Sequence, residues 1–187
     1  MKIAGIDEVG RGPWAGPVVA CALVLHRPVP GLADSKTLSA KRRVALTAIL
    51  SDPAVAAFAI GAASAAEIDR INVRQATFLA MRRAVDRLPV RPLRLLIDGR
   101  DAPDFGLPAG AVIGGDGKID AIAAASIVAK TARDALMAGL ARRHPGYGWQ
   151  TNVGYGTAEH RAALARLGVT AHHRRSFAPV RAQLLVE

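Results

Sequence analysis

Short apolar runs alternate with longer amphipathic segments along the chain, and clusters of turn-forming residues separate them. Residues 3–6 and 17–25 are apolar and enclose a turn rich in glycine and proline, which predicts two strands. The segments VAAFAIGAAS, LRLLIDG and AVIGG predict three more strands. Of these, LRLLIDG is apolar almost up to its acid, a pattern typical of a strand buried on both faces.

Helix signals lie between and after these strands. Ser39 is a suitable N-cap for a basic helix. Ser64 and Glu67 form a capping-box pattern that opens a long helix toward Leu88. The alanine-rich segment IDAIAAASIVAKTARDALMAGLARR predicts another long helix, and residues 157–167 predict a shorter one. Strands first, then alternating helix and strand, predict an α/β fold with a mixed sheet.

The composition adds a strong positive charge to this picture. The 187 residues, 51% of them hydrophobic, suit one compact domain spanning residues 1–187. Lysine and arginine number 25 against 15 acids, which leaves a formal charge of +10. This balance favours polyanionic partners, nucleic acid above all, because binding to phosphates releases condensed counterions. Charge alone also fits acidic protein partners, so the function must be argued from particular residues.

Three observations bear on where the protein acts. The start MKIAGIDE carries acids too early for a signal peptide. No apolar run approaches the roughly 18 residues of a membrane span. The single Cys21 cannot form an internal disulfide and lies in an apolar run, so we expect a buried, unreactive thiol. These features predict a cytoplasmic protein that does not bind membranes.

Acids at the ends of apolar runs are the most informative chemical feature. There are four of them, Asp7, Glu8, Asp98 and Asp116. Carboxylates suit hard cations such as Mg²⁺ and Mn²⁺, and a pair of such ions can support phosphodiester hydrolysis. Asp7 and Asp98 each end a predicted strand, where α/β sheets place ligand sites. If those strands are neighbours, both carboxylates point into one crevice.

Other interpretations of the acids stay open at this point. They also fit turns or surface ion pairs, and for Asp116 in GGDG the turn interpretation alone is the stronger one. Adjacent residues of an extended strand face opposite sides. Asp7 and Glu8 can therefore share a site only if the strand ends or bulges there, which the glycines that follow lead us to expect.

The GRG turn, Gly10, Arg11 and Gly12, superficially matches a dinucleotide-binding loop. In that case Asp7 and Glu8 would lie against a pyrophosphate, and the prolines that follow lead into a strand rather than a helix. A nucleotide-binding oxidoreductase is rejected on these grounds. Glycines here instead allow the backbone to approach a nucleic-acid strand closely, because no Cβ blocks contact.

With these motifs in place, the chain resembles bacterial ribonuclease HII, a type 2 ribonuclease H. The motifs are, in order, GIDEVGRGPWAGPVVA, ADSKTLS, LLIDG, GGDGKIDAIAAASIVAKTARD, GYGT and HRRSF. DEVGRG together with AASIVAK is highly specific, and the match runs nearly end to end. The resemblance implies an RNase H-like fold: a central mixed five-stranded sheet flanked by helices, with a helical C-terminal region.

The resemblance also implies roles for individual residues. The implied catalytic, metal-binding carboxylates are Asp7, Glu8, Asp98 and Asp116, and the nearby Asp120 makes the last the least certain. The implied substrate contacts are Gly10, Arg11, Gly12, Lys36, Lys130 and Tyr155. In the family the GRG turn reads the 2′-hydroxyl, the group that distinguishes RNA from DNA, and the tyrosine stacks on the following sugar. The lysines, with Arg174 or Arg175, would position the duplex through its phosphates.

The implied activity is hydrolysis of RNA in RNA–DNA hybrids and nicking 5′ of single ribonucleotides embedded in duplex DNA. Mn²⁺ or Mg²⁺ is the implied cofactor, in a two-metal-ion mechanism whose products carry a 3′-hydroxyl and a 5′-phosphate. The implied partners are these two duplexes, and the implied state is a monomer. The alternative is a non-catalytic basic nucleic-acid-binding module with structural acids. It predicts hybrid binding that is indifferent to Mg²⁺ and yields no products.

Overall fold

The sheet is mixed and has five strands in the order β3-β2-β1-β4-β5. The computed structural model describes residues 2–185. Its strands are β1 (Ile3–Val9), β2 (Val18–Leu25), β3 (Ala56–Ala63), β4 (Arg94–Asp98) and β5 (Ala109–Val112). β2 pairs antiparallel with both β1 and β3, whereas β4 runs parallel to β1 and β5 runs parallel to β4. The predicted α/β fold with a mixed five-stranded sheet is confirmed.

The helices of the described part are α1 (Ala40–Leu50), α2 (Ala65–Asp86), α3 (Asp120–Arg143), α4 (Trp149–Asn152), α5 (Ala158–Leu167) and α6 (Ala178–Leu184). Two predicted caps are confirmed, because Ser39 accepts from the Arg42 amide and Ser64 forms the capping box with Glu67. The short α4 lies between α3 and α5, and α4 to α6 form the predicted helical C-terminal region. Across residues 2–185, no helix combines the length and apolarity that a bilayer span requires.

The predicted fifth strand is displaced from its expected position in AVIGG. β5 begins two residues earlier, at Ala109, and ends at Val112. The chain then turns at Gly114, whose φ of 63° lies in the left-handed region, and a 3₁₀ turn follows over Gly115–Gly117. The glycines therefore belong to the turn that carries Asp116, rather than to the strand.

Helices cover both faces of the sheet, and β1 lies at its centre. Ala4 and Ile6 pack into the apolar cluster that includes the buried face of α2. The alternate residue Gly5 faces α3, where it lies against the backbone of Ala121. The same alternation turns Asp7 toward α3, because side chains of one strand alternate between the two faces.

α3 crosses β1 so closely at Gly5 that a side chain does not fit between them. A Cβ atom there would lie 2.2 Å from the Ala121 carbonyl carbon and 2.4 Å from the Ile122 nitrogen. Because both obstacles are backbone, we expect Gly5→Ala to reduce the free energy of unfolding by about 3 kcal/mol. Urea unfolding checks this, with Gly117→Ala as the control, since a Cβ at Gly117 meets nothing within 4 Å. An unchanged Gly5→Ala midpoint would contradict the close approach.

Candidate active site

Two carboxylates lie side by side at the ends of neighbouring parallel strands. The pairing of β1 with β4 aligns Ile6 with Ile97, so Asp7 and Asp98 are the next residues in register. The Gly115 amide donates to Asp98 Oδ1 at 2.7 Å. This bond holds the turn with Asp116 at the end of β4, so the sheet brings together three acids that are far apart in sequence.

Glu8 reaches the same region from the opposite face of the sheet. β1 pairs with β2 without interruption through Glu8 and Val9. The expectation that the strand ends at residue 6 or bulges at the acids is therefore wrong, since continuous pairing keeps Asp7 and Glu8 on opposite faces. A cavity of about 320 Å³ is lined by both Glu8 and Asp98. The acids thus flank the end of the sheet instead of lining one face of it.

The acids repel one another in a partly dehydrated setting. Burial, then the charges of Glu8 and Asp98, raises the pKa of Asp7 to about 8. Burial and the Asp98 charge raise the pKa of Glu8, against the opposing effect of Arg11. Burial, with the charges of nearby acids including Asp98, also raises the pKa of Asp116. An excess of negative potential of this kind is what a bound cation relieves.

Two buried serine hydroxyls lie in the surroundings of Asp7, one acting on its carboxyl and the other contacting the first. Ser126, on α3, hydrogen-bonds the Asp7 carboxyl and lowers its pKa against the effect of burial. The Ser126 hydroxyl also lies 2.8 Å from that of Ser35, in the segment before α1. Nothing in the sequence alone connects Ser35 with Ser126, because 91 residues separate them.

Lys36 places a cation beside the acids. Its Nζ lies 3.8 Å from Asp116 Oδ2 and 4.0 Å from Asp34 Oδ1. Partial burial lowers the pKa of Lys36, but Asp34, Asp116 and the more distant acids raise it by more, so the ammonium stays charged. Asp34 is a fifth acid of this region that the sequence analysis missed. Contact between Lys36 and a phosphate stays a prediction.

Lys130 lies in a different setting from Lys36. Its Nζ donates to Asp134 Oδ1 at 2.8 Å, and Asp134 also accepts from Arg43 Nη2 at 3.3 Å. Arg43 in turn donates to the Ser35 carbonyl at 3.0 Å. The structure therefore places Lys130 in the ion-pair network that anchors the segment before α1. Its predicted contact with a phosphate is not tested by this arrangement.

Asp120 lies apart from the site. It lines a shallow groove together with Leu25, His26, Arg27 and Pro28. Leu25 ends β2 at the opposite end of the strand pair from the carboxylates, since Asp7 pairs with Cys21. Asp116, which interacts with Asp98, is therefore the acid that belongs with the others.

The GRG turn and Tyr155 are neighbours across the chain. A Cβ atom at Gly12 would lie 3.5 Å from Cε1 of the half-exposed Tyr155 ring. Arg11 Nη1 lies 3.4 Å from Glu8 Oε1. A side chain at Gly12 would meet only this ring, whereas at Gly10 the space is taken by another residue; contact of either glycine with a nucleic-acid strand stays a prediction. A Cβ at Gly10 would lie 2.1 Å from Arg133 Nε, so this glycine makes room for a protein side chain.

Arg174 is not available to a phosphate, so the expectation for this residue is wrong. Its side chain is fully buried and donates to the carbonyls of Gly10, Arg11 and Gly16. The physical reason is an isolated bridge between Ala15 and His173, which draws the Arg174 segment beneath the loop after β1. The exposed neighbour, Arg175, remains as a candidate phosphate contact.

His160 and His173 form a buried pair behind Tyr155. The Thr170 amide donates to His173 Nδ1 at 3.0 Å, so the proton of neutral His173 lies on Nε2 and faces His160 Nε2 at 3.1 Å. His160 Nδ1 lies 2.9 Å from the Tyr155 carbonyl and must donate to it. Trp149 Nε1 completes the network by donating to His160 Nε2 at 3.1 Å. Both imidazoles are thus neutral, and one of them fixes the backbone of Tyr155.

This pair predicts loss of stability in acid. Burial, then the neighbouring His160, lowers the pKa of His173 to about 3 from the usual 6.5. Between those values the unfolded chain binds the extra proton, so the free energy of unfolding falls as the pH falls from 6.5 toward 3. Urea unfolding at stepped pH, comparing wild type with His173→Gln, isolates the effect. The wild type should lose stability more steeply, and parallel profiles would contradict the assignment.

The arrangement fits a divalent cation that is held by few protein ligands. Within residues 2–185, no three Asp, Glu, His or Cys side chains are grouped closely enough to hold a metal ion on their own. Mg²⁺ sites commonly use one or two carboxylates together with water and substrate phosphate. Adjacent Asp7 and Asp98, with Glu8 and Asp116 flanking them, offer carboxylate oxygens of this kind, and the burial and mutual repulsion that raise the pKa of Asp7 are what a cation there would offset.

Comparisons with known proteins agree with this geometry. The family model "Ribonuclease HII" matches residues 4–180. A ribonuclease HII of Jannaschia sp. (strain CCS1) is 60% identical over 181 residues, which cover 95% of this chain and 90% of that protein. The ribonuclease H2 structure from Pyrococcus horikoshii OT3 shares the fold with a TM-score of 0.84 and 24% identity, covering 97% of this chain and 96% of that one. Bst-RNase HIII in complex with Mn²⁺ has a TM-score of 0.75 and 21% identity, over 100% of this chain and 70% of that one.

Proposed function

The chain belongs to the ribonuclease HII family, and we propose that its four carboxylates and its GRG turn act together to nick duplex DNA 5′ of an embedded ribonucleotide. Membership makes it an endoribonuclease that acts on RNA–DNA hybrids and depends on a divalent cation. The alternative of a non-catalytic nucleic-acid-binding module is thereby overturned. The proposal concerns the finer points: the residues, the single-ribonucleotide substrate and the identity of the metal.

The observation that carries the proposal is the continuity between the GRG turn and the acids. Arg11 Nη1 lies 3.4 Å from Glu8 Oε1, and a Cβ atom at Gly12 would meet only the half-exposed Tyr155 ring, at 3.5 Å. A ribose held against the turn would therefore have its phosphate next to the carboxylates. In this arrangement the 2′-hydroxyl would contact the GRG turn, and the phosphodiester bond to be cleaved would lie at the adjoining carboxylates.

The residues divide the work as follows. Asp7 and Asp98 would hold the cation at the strand ends, with Glu8 and Asp116 completing the oxygen donors from either side. When bound, divalent cations polarise the scissile phosphate and lower the pKa of the attacking water. Lys36 offsets part of the negative charge near Asp116, which favours approach of the anionic backbone. The Ser126 hydroxyl favours the charged form of the Asp7 carboxyl, because its hydrogen bond lowers the pKa of that group.

The chemistry of the carboxylates also bears on which metal the enzyme uses. We infer that Mn²⁺ and Mg²⁺ both serve, because the candidate ligands are hard carboxylate oxygens. The solved structure of Bst-RNase HIII with Mn²⁺, which shares the fold, supports Mn²⁺ as one of them. We also propose a monomeric, cytoplasmic enzyme whose further partner is duplex DNA containing ribonucleotides.

Incubation with duplex DNA that carries one ribonucleotide tests the proposal. Separate reactions contain Mg²⁺, Mn²⁺ or chelator, and an RNA–DNA hybrid serves as the positive control. We expect one nick on the 5′ side of the ribonucleotide with either metal, products with a 3′-hydroxyl and a 5′-phosphate, and no product in chelator. Cleavage of the hybrid alone would remove the single-ribonucleotide activity and leave the endoribonuclease in place.

A further inference from the structure

Two buried guanidinium groups lie beneath the loop that carries the GRG turn. Arg133, on α3, and Arg174 are both fully buried. In the part of the chain that the structure describes, neither forms an ion pair with a carboxylate. Burial of an unpaired charge is costly, and such exceptions concentrate at functional sites. Backbone carbonyls compensate both arginines instead.

The carbonyls belong to the segments that form the candidate ribose-reading surface. Arg174 donates to Gly10, to Arg11 at 2.7 Å and to Gly16 at 2.9 Å. The acceptors of Arg133 are the carbonyls of Pro17, Val153 and Ala15, at 2.9, 3.0 and 3.2 Å. Arg174 thus holds the GRG turn itself. Arg133 connects the end of the loop, at Ala15 and Pro17, to the segment that precedes Tyr155.

The bonds to Arg174 also determine where the backbone amides of the GRG turn point. In a trans peptide the C=O and the following N–H point in opposite directions. Because the Gly10 and Arg11 carbonyls face Arg174, the amides of Arg11 and Gly12 face away from it. Across residues 2–185, neither amide has a protein acceptor. Gly10 has a φ of 93°, and successive free amides beside such a residue form a concavity that binds oxygen acceptors.

We propose that Arg174 is a positioning residue for ribonucleotide recognition, because it orients the Arg11 and Gly12 amides toward the sugar of the substrate. Arg133 supports it by keeping the loop and the Tyr155 segment together. The inference rests on the proposed reading role of the GRG turn. It assigns the discrimination between ribose and deoxyribose to a buried arginine that touches no substrate.

Arg174→Lys is the variant that tests this role. Lysine keeps the charge, but its ammonium cannot satisfy three carbonyls in the planar arrangement of a guanidinium. The readout is the ratio of dissociation constants for a duplex with one ribonucleotide and for the same all-DNA duplex, measured in chelator. We expect the preference for the ribonucleotide to fall about tenfold, with all-DNA binding changed less than about twofold, as for loss of oriented hydrogen bonds. An unchanged preference in the folded variant would overturn the inference.

Arg83→Lys is the matched control. Arg83 also donates to a backbone carbonyl, that of Ala62, and pairs with Glu67, on the far side of β2 from the site. We expect this control to lower the melting temperature and to leave the preference intact. A comparable loss of preference in Arg83→Lys would show that general destabilisation, not the position of the turn, sets the ratio.

Gly12→Ala separates the inference from the proposed function. Its Cβ meets only the Tyr155 ring, at 3.5 Å, so we expect normal folding and a lost ribonucleotide preference. Retained preference in this variant would refute the reading role of the turn. Lost preference here, with retained preference in Arg174→Lys, would refute the role of the arginine alone.

A measurement on the wild type covers the case in which Arg174→Lys does not fold. Amide hydrogen exchange of Arg11 and Gly12 should be fast in the free protein, because both amides face solvent. It should slow on addition of the ribonucleotide duplex and remain fast with the all-DNA duplex. Slow exchange of the Arg11 and Gly12 amides in the free protein would overturn the inference, and this result requires no variant.

Discussion

Asp7→Asn and Asp98→Asn enzymes are each expected to lose at least about a thousandfold in cleavage rate at saturating Mg²⁺. Removal of one preorganised electrostatic group already costs 10²–10³-fold in enzymes, and each of these carboxylates would hold the cation as well. Binding to an RNA–DNA hybrid should persist, because the positively charged surface and the GRG turn are untouched. Single-turnover cleavage and a binding assay in chelator check the two halves of the expectation. Near-normal turnover in either variant would sink the proposed site.

Asp7→Asn carries a second expected effect, on stability. The pKa of Asp7 lies near 8 in the folded state, against an ordinary value of about 3.8. The folded state therefore binds the extra proton between those values, and ionisation destabilises it progressively as the pH rises toward 8. In chelator, the melting temperature of Asp7→Asn should exceed that of the wild type, and the difference should grow from pH 5 to pH 8. A difference that shrinks over this range would contradict the burial argument.

Tyr155→Ala is expected to reduce kcat/KM on the single-ribonucleotide duplex by about 10- to 100-fold, the size of one stacking contact of about 1–3 kcal/mol. The backbone should stay in place, because the Tyr155 carbonyl is held by His160 and its amide by the Asn152 carbonyl. All-DNA duplex binding should change far less than cleavage. Tyr155→Phe, which keeps the ring, is the control and should retain most activity. Equal losses in cleavage and in duplex binding would contradict the stacking role.

The fold was predictable from the sequence because its signals are local. Apolar runs of strand length and the Ser39 and Ser64 caps mark most elements to within a few residues. β1 was harder, since it continues through Asp7 and Glu8, where charge interrupts the apolar pattern. Pairing with β2 on one side and β4 on the other overrides that local signal.

The candidate carboxylates could also be found from sequence, but their surroundings could not. Each acid follows an apolar run, and strand adjacency then brings Asp7 beside Asp98. Arg174, in contrast, has the sequence context of an exposed tail arginine, and only the packing of distant segments shows that it is buried. The same holds for Ser35 and Ser126, whose contact spans 91 residues. Long-range placement, and not residue type, determines these roles.

The contact between Arg174 and Gly10 spans 164 residues, which has a consequence for the order of folding. Closing so long a loop is entropically costly, and during synthesis the amino-terminal elements can pair long before the arginine emerges. The sheet that carries the carboxylates can therefore assemble first, while the GRG turn still lacks the group that shapes it. If Arg174 positions the GRG turn as proposed, a nascent chain that ends before Thr170 would hold the candidate carboxylates but not yet the group proposed to support selection of ribose.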